Sequence, residues 1–208
     1  MISQLECYVM SPKALLIFAH GAGANMHHAF LENITRLLNE QHINVLRFNF
    51  PYMDKRELDG KKYPPNRMPI LLECYQGVLE RCDKSLPLFI GGKSMGGRVA
   101  ATLAKDEQTN IKGIVCLGYP FHPTKKPEKL RLEPLQESKK PILILQGDRD
   151  SLGNKMEIEN YQLNKLCRVE YFEDGDHDLK PRVKSGFTHS QHIKTAVEKI
   201  VSFINENS

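Results

Sequence analysis

The chain lacks the features that would tie it to a membrane, a nucleic acid or an oxidising compartment. None of its apolar runs approaches the length of a membrane span, and it does not start with the basic-then-apolar pattern of a secretory signal. Five cysteines (Cys7, Cys74, Cys82, Cys116, Cys167) are scattered without a C-x-x-C pair, and their odd number argues against a disulfide framework. Most sit among apolar residues, where a free thiol behaves as a small hydrophobe. With 29 basic and 25 acidic residues the formal charge is +4, too small and too dispersed for a nucleic-acid surface. The basic cluster Lys125, Lys126, Lys129 and Arg131 reads as a solvated loop. Internal repeats, low-complexity tracts and a domain boundary are all missing. The expectation is one domain of 208 residues in the cytoplasm, without membrane or nucleic-acid partners. A chain of this size buries roughly 70% of its unfolded surface and needs no staples.

What the chain does have is centred on Gly91-Gly92-Lys93-Ser94-Met95-Gly96-Gly97. The segment Gly92 to Gly96 is G-x-S-x-G, preceded by an apolar strand-like run and followed by a helix-like pattern. In that setting it is a nucleophile elbow, a turn so tight that its flanking positions must be small. The serine then stands over a helix N-terminus, whose free N–H groups suit a developing anion. A phosphate loop is excluded, because it needs a glycine at position 87, which is Pro87.

Strand-like and helix-like segments alternate along the rest of the chain. Strands are expected at Gln4–Met10, Ala14–Ala19, Ile43–Phe50, in the short apolar run that begins at Leu86 and leads into the elbow, and at Ile111–Gly118, Pro141–Gln146 and Arg168–Phe172. Helices are expected near His27–Gln41, Met68–Asp83 and Ser190–Asn205, and after the elbow, with weak helical character at Gly153–Leu163. Asp54–Pro69 reads as a charged surface excursion, Lys105–Asn110 as a polar link, and Tyr119–Lys140 as a loop with at most a short helix. The alternation implies an α/β fold: a parallel sheet with helices on both faces.

An acyl-transferring serine needs a base, a group that orients the base, and donors for the oxyanion. In a parallel sheet these come from loops at the carboxyl ends of strands. Gly147-Asp148-Arg149-Asp150 follows one strand, and Asp150, further into the loop than Asp148, is the preferred acid. Asp174-Gly175-Asp176-His177-Asp178 follows the last strand and supplies His177 as base, with the neighbouring aspartates tending to raise its pKa. The order Ser94, Asp150, His177 is the serine–acid–histidine order of that fold. A metal reading of the aspartate-rich loop fails on spacing and on the missing closing glutamate. His20-Gly21-Ala22-Gly23-Ala24 follows the first buried strand. There Gly21 and Gly23 let the backbone approach a substrate, and the N–H of Ala22, or of Gly23, pairs with that of Met95 as an oxyanion hole. The same loop fails as a dinucleotide fingerprint, since Met26 stands where a third glycine is required. His20 is read as structural, and His27, His28, His42, His122, His189 and His192 as surface or rim residues. Lys93 either reaches a carboxylate on the substrate or packs against a helix, and Tyr119 is a further candidate substrate contact.

Taken together in order, six segments carry a resemblance. They are His20–Ala24, Arg47–Tyr52, Gly91–Arg98, Leu117–Pro123, Gln146–Asp150 and Asp174–Arg182. Over nearly its whole length the chain resembles the α/β-hydrolase superfamily. It looks most like the small branch that includes bacterial predicted hydrolases, the testis-expressed protein 30 family and a subunit of a histone-acetyltransferase complex. The resemblance implies the α/β-hydrolase fold and assigns nucleophile, acid and base to Ser94, Asp150 and His177. It implies no cofactor, no metal and no particular substrate. The chain has no insertion long enough for a large lid, so a small or polar ester, thioester or similar acyl compound is expected. Two alternatives remain: a non-catalytic scaffold on the same fold, as the chromatin-complex relative suggests, and a lactone hydrolase of the dienelactone-hydrolase type.

Overall fold

The structure, a computed structural model, describes residues 2–105 and 110–208. Most of the expected Lys105–Asn110 link lies outside the described residues. The strands are β1 (Gln4–Cys7), β2 (Ala14–Ala19), β3 (Ile43–Phe48), β4 (Leu88–Lys93), β5 (Ile111–Leu117), β6 (Ile142–Gly147) and β7 (Cys167–Phe172). They form one sheet in the order β1-β3-β2-β4-β5-β6-β7. All pairings are parallel except that of β1 with β3, so the sheet is mostly parallel, as the alternation of elements requires. The helices are α1 (Ala29–Asn39), α2 (Pro51–Asp59), α3 (Met68–Arg81), α4 (Met95–Leu103), α5 (Glu133–Gln136), α6 (Lys155–Ile158) and α7 (His189–Asn207).

Side chains alternate across each central strand and divide the core in two. Leu15, Ile17 and Ala19 of β2 join Ile90, Ile114 and Ile144 beneath α2, α3 and α4. Ala14, Leu16 and Phe18 join Val115, Leu143 and Leu145 beneath α1 and α7. Both faces are covered, so these strands read as continuous apolar runs. Gly91 serves this packing. A Cβ there would stand 2.2 Å from the Val115 carbonyl. Beside it, the buried Tyr75 hydroxyl lies 2.8 Å from the Ile17 carbonyl and accepts from Gly91 N at 3.0 Å.

Three expectations need correction. The stretch from Asp54 begins as the second half of α2, not as a surface excursion. Pro51 starts that helix, where its missing N–H costs nothing, and Gly60 ends it at φ +70°. Only Tyr52 and Met53 are buried along it, so the apolar periodicity that reveals a helix is missing. The helix within Gly153–Leu163 is confined to Lys155–Ile158, held by a capping box between Asn154 and Glu157. The first strand stops at Cys7 rather than Met10, because its ladder with β3 ends at the Cys7–Val45 pair.

Candidate active site

Four loops at the carboxyl ends of β2, β4, β6 and β7 meet at one rim of the sheet. At the end of β4, Ser94 has φ +53° and ψ −116°, outside the regions ordinary residues adopt. Glycines on both sides allow it. A Cβ on Gly92 would stand 2.6 Å from Gly96 C, and one on Gly96 2.5 Å from the Ala19 carbonyl. No side chain fits either place, so the strand turns directly into α4. Met95 is the first residue of α4, and its N–H has no place in the helix ladder.

Asp150 is fully buried after β6. Its Oδ2 accepts from His177 Nδ1 at 2.7 Å and from Gln146 Nε2 at 2.9 Å. Its Oδ1 accepts from Leu152 N at 2.9 Å. A charge-assisted hydrogen bond of that length orients the imidazole, with Nδ1 as the donor to the carboxylate. Ser94 and His177 line the same cavity of about 340 Å³, but among the described residues no hydrogen bond joins them.

The loop after β2 forms the opposite wall. Gly21, Ala22, Gly23 and Ala24 line the cavity, with His28, Phe30 and Leu31 beside them at the start of α1. His20 holds this loop from beneath, with Nδ1 donating to the Gly21 carbonyl at 2.8 Å and Nε2 accepting from Phe50 N at 3.0 Å. Burial lowers its pKa from 6.5 to about 4, so it stays neutral. Tyr52 completes the support, its hydroxyl lying 3.0 Å from the Ala22 carbonyl. Asn49 accepts from Met26 N at 2.9 Å and donates to Glu57 at 3.0 Å. The sequence reading missed this role of Tyr52 and Asn49. The signal was their place in Arg47-Phe48-Asn49-Phe50-Pro51-Tyr52, just past a buried strand end.

Other expected site residues stand elsewhere. Tyr119 is fully buried, donates to the Arg131 carbonyl at 2.8 Å and does not line the cavity. Its ring packs against Phe121, which keeps it in the core. Lys93 does line the cavity, but its ammonium donates to the His177 carbonyl at 2.8 Å and pairs with Asp178 Oδ1 at 3.1 Å. It does not present a free charge to the cavity, and it faces the Phe30 ring of α1 at 5.9 Å. Two histidines read as surface or rim residues are buried. His122 bonds the Pro123 carbonyl, and His192 donates to the Leu179 carbonyl beside Phe172. His28, by contrast, is a rim residue of the cavity.

The aspartates around His177 have separate partners. Asp174 is tied to Arg182 and Arg149, and Arg182 holds its pKa down to about 2. Asp176 accepts from the Asp178 and Lys180 N–H groups. Of the three, Asp178 alone lines the cavity.

Residues 12–205 match the alpha/beta hydrolase domain family. The chain belongs to that family. Human monoglyceride lipase is 26% identical over 113 residues, which cover 51% of this chain and 35% of the lipase. The chain thus spans about a third of the length of that curated relative. Among solved structures, a dienelactone hydrolase from Anabaena variabilis ATCC 29413 aligns over 99% of this chain and 92% of its own, at TM-score 0.75 and 16% identity. Est1E from Butyrivibrio proteoclasticus, with ferulic acid bound, aligns over 99% and 95%, at TM-score 0.73 and 15% identity. An α/β serine hydrolase without a lid from Xanthomonas campestris aligns over 99% and 88%, at TM-score 0.70 and 14% identity. At these identities the structures establish the alpha/beta hydrolase fold. Among the described residues, no helix is long and apolar enough to cross a membrane.

Proposed function

We propose that the protein is a serine hydrolase that cleaves an ester or related acyl bond of a small substrate through an acyl-enzyme on Ser94. The observation that carries this reading is the 2.7 Å bond from His177 Nδ1 to the buried Asp150, with His177 and the strained Ser94 on one cavity. In this reading His177 Nε2 takes the Ser94 proton as Oγ attacks the substrate carbonyl. The Ala22 and Met95 N–H groups hold the oxyanion, each worth about 3 kcal/mol in the transition state. The intermediate then collapses and breaks the bond to the leaving group, which takes the proton from His177. Water, deprotonated by His177, then attacks the acyl carbonyl, the bond to Ser94 Oγ breaks, and His177 returns the proton to Oγ. Gly21 and Gly23 keep the backbone open to the substrate. The small cavity, bounded by Phe30 and Leu31, supports a short acyl group over a long one.

Labelling with a fluorophosphonate, read by intact mass, tests this assignment. One adduct on the wild type and none on Ser94→Ala is expected. An unlabelled, folded wild type, or equal labelling of the variant, refutes it and favours a non-catalytic binding protein on the same fold.

A further inference from the structure

Residues 174–180 form no helix or strand, yet side chains from other elements hold their carbonyls in place. Arg149 donates to Asp174 O at 2.7 Å, His189 to Asp178 O at 2.9 Å, and His192 to Leu179 O at 2.8 Å. Lys93 donates to His177 O at 2.8 Å. Among these, Lys93 is the one that belongs to the elbow, one residue before Ser94. It therefore links the backbone of the nucleophile directly to the backbone of the base.

The ammonium is committed to this contact. It bonds the His177 carbonyl, pairs with Asp178 and faces the Phe30 ring at 5.9 Å, so its N–H groups are engaged within the protein. The Lys93 side chain is 10% exposed, whereas that of Asp178 is 61% exposed. Gly118, at φ +61°, makes the room. A Cβ there would stand 2.7 Å from His177 O and 3.1 Å from both His177 Nδ1 and Lys93 Nζ. Three strand ends thus converge on this one contact.

We propose that Lys93 is a positioning residue, forming with Asp178 a strut that sets His177 against the Ser94 elbow. The role rests on the hydrolase reading of the same site. The pair also balances charge beside the imidazole. The ammonium faces Asp178, Asp150 and Asp176, and Asp178 in turn faces His177 and His28. Burial pulls the Lys93 pKa down while these carboxylates resist it. Burial pushes Asp178 up, but Lys93 together with His177 and His28 outweighs it and the net shift is downward. Losing the ammonium leaves Asp178 uncompensated and favours imidazolium; losing the carboxylate does the reverse.

The experiment compares Lys93→Met and Asp178→Asn with the wild type. Three quantities are measured: thermal midpoint, fluorophosphonate labelling rate, and the His177 titration midpoint by NMR. Lys93→Met leaves the His177 carbonyl without its donor and Asp178 without its partner, so its thermal midpoint falls, and the other two quantities are read at a temperature where every variant is folded. Its labelling rate falls about tenfold or more as the base loses its position, and its His177 midpoint rises. In Asp178→Asn, altered at the exposed partner, the His177 midpoint moves down. Folded variants with the wild-type labelling rate and unchanged His177 midpoints overturn the strut. A wild-type labelling rate in the folded variants overturns the strut even where the His177 midpoint moves, because loss of a nearby charge shifts it without any positioning role; an unlabelled wild type overturns the hydrolase reading and the strut with it.

Discussion

At the scale of single residues, backbone positions without side chains shape the site. Gly96 is the sharpest case, since an added Cβ would meet the Ala19 carbonyl at 2.5 Å and the His20 carbonyl at 2.7 Å. These are backbone atoms at the end of β2 and just past it, and they cannot turn aside. Gly96→Ala should therefore cost about 1–3 kcal/mol of stability, an overpacking penalty readable by urea denaturation. It should also lower the fluorophosphonate labelling rate, because the strain falls on the turn that carries Ser94. His20 supplies a pH signature. Its folded pKa of about 4 lies below the ordinary 6.5, so the unfolded chain takes up the proton first. Stability from this group is complete above pH 6.5 and is lost as pH falls toward 4. The loss amounts to roughly 3 kcal/mol over that window. Thermal midpoints at pH 7 and 4.5 should differ less for His20→Gln than for the wild type. An equal acid drop in both proteins would count against His20 as its source.

At the scale of elements, α2 braces the wall of the site facing His177. Pro51 opens the helix directly after β3, and that short connection puts Tyr52 under the Ala22 carbonyl. Tyr52→Phe keeps the ring and removes the donor. The expected stability cost is about 1 kcal/mol, with a several-fold loss in kcat on an ester substrate and a smaller change in KM. A kcat equal to the wild type would show that the Ala22 loop holds its shape without this bond. The base loop is fixed differently. Asp174 and Leu179 both have positive φ, at 54° and 61°, and neither is glycine. Buried Leu179 and the side-chain donors around the loop hold this backbone in place. These supports come from residues far apart in the chain, which is why sequence spacing located His177 but not what fixes it.

At the scale of the whole molecule, the covered sheet leaves only its carboxyl-end rim for the site. The long connection Tyr119–Lys140 does not cover the site: it packs inward through Tyr119, Phe121 and Leu135 and does not line the cavity. A larger groove of about 590 Å³ lies between α1 and α7, lined in part by Leu37, Ile193 and Val197, and holds none of the proposed catalytic residues. The proposed acyl pocket is the smaller one beside Ser94. On a series of para-nitrophenyl esters, kcat/KM should be highest for acetate or butyrate and fall steadily toward octanoate. A rise with chain length would indicate an acyl site outside this cavity.

The sequence by itself determined the seven strands in order, the long helices between them and a mostly parallel sheet. Apolar runs bounded by glycine and proline mark strands buried on both faces, and G-x-S-x-G leaves few turns open to the backbone. It also preferred Asp150 over Asp148, and Asp150 is the carboxylate that accepts from His177 Nδ1. Tertiary structure alone decided where Lys93, Tyr52 and Tyr119 point, and that α2 is a helix. Each of those outcomes depends on a partner distant in sequence: Asp178 and the His177 carbonyl for Lys93, Ala22 for Tyr52, Arg131 for Tyr119. Periodicity reports which face of an element is buried. It does not report which carbonyl a long polar side chain meets once seven strand ends have been brought to one rim.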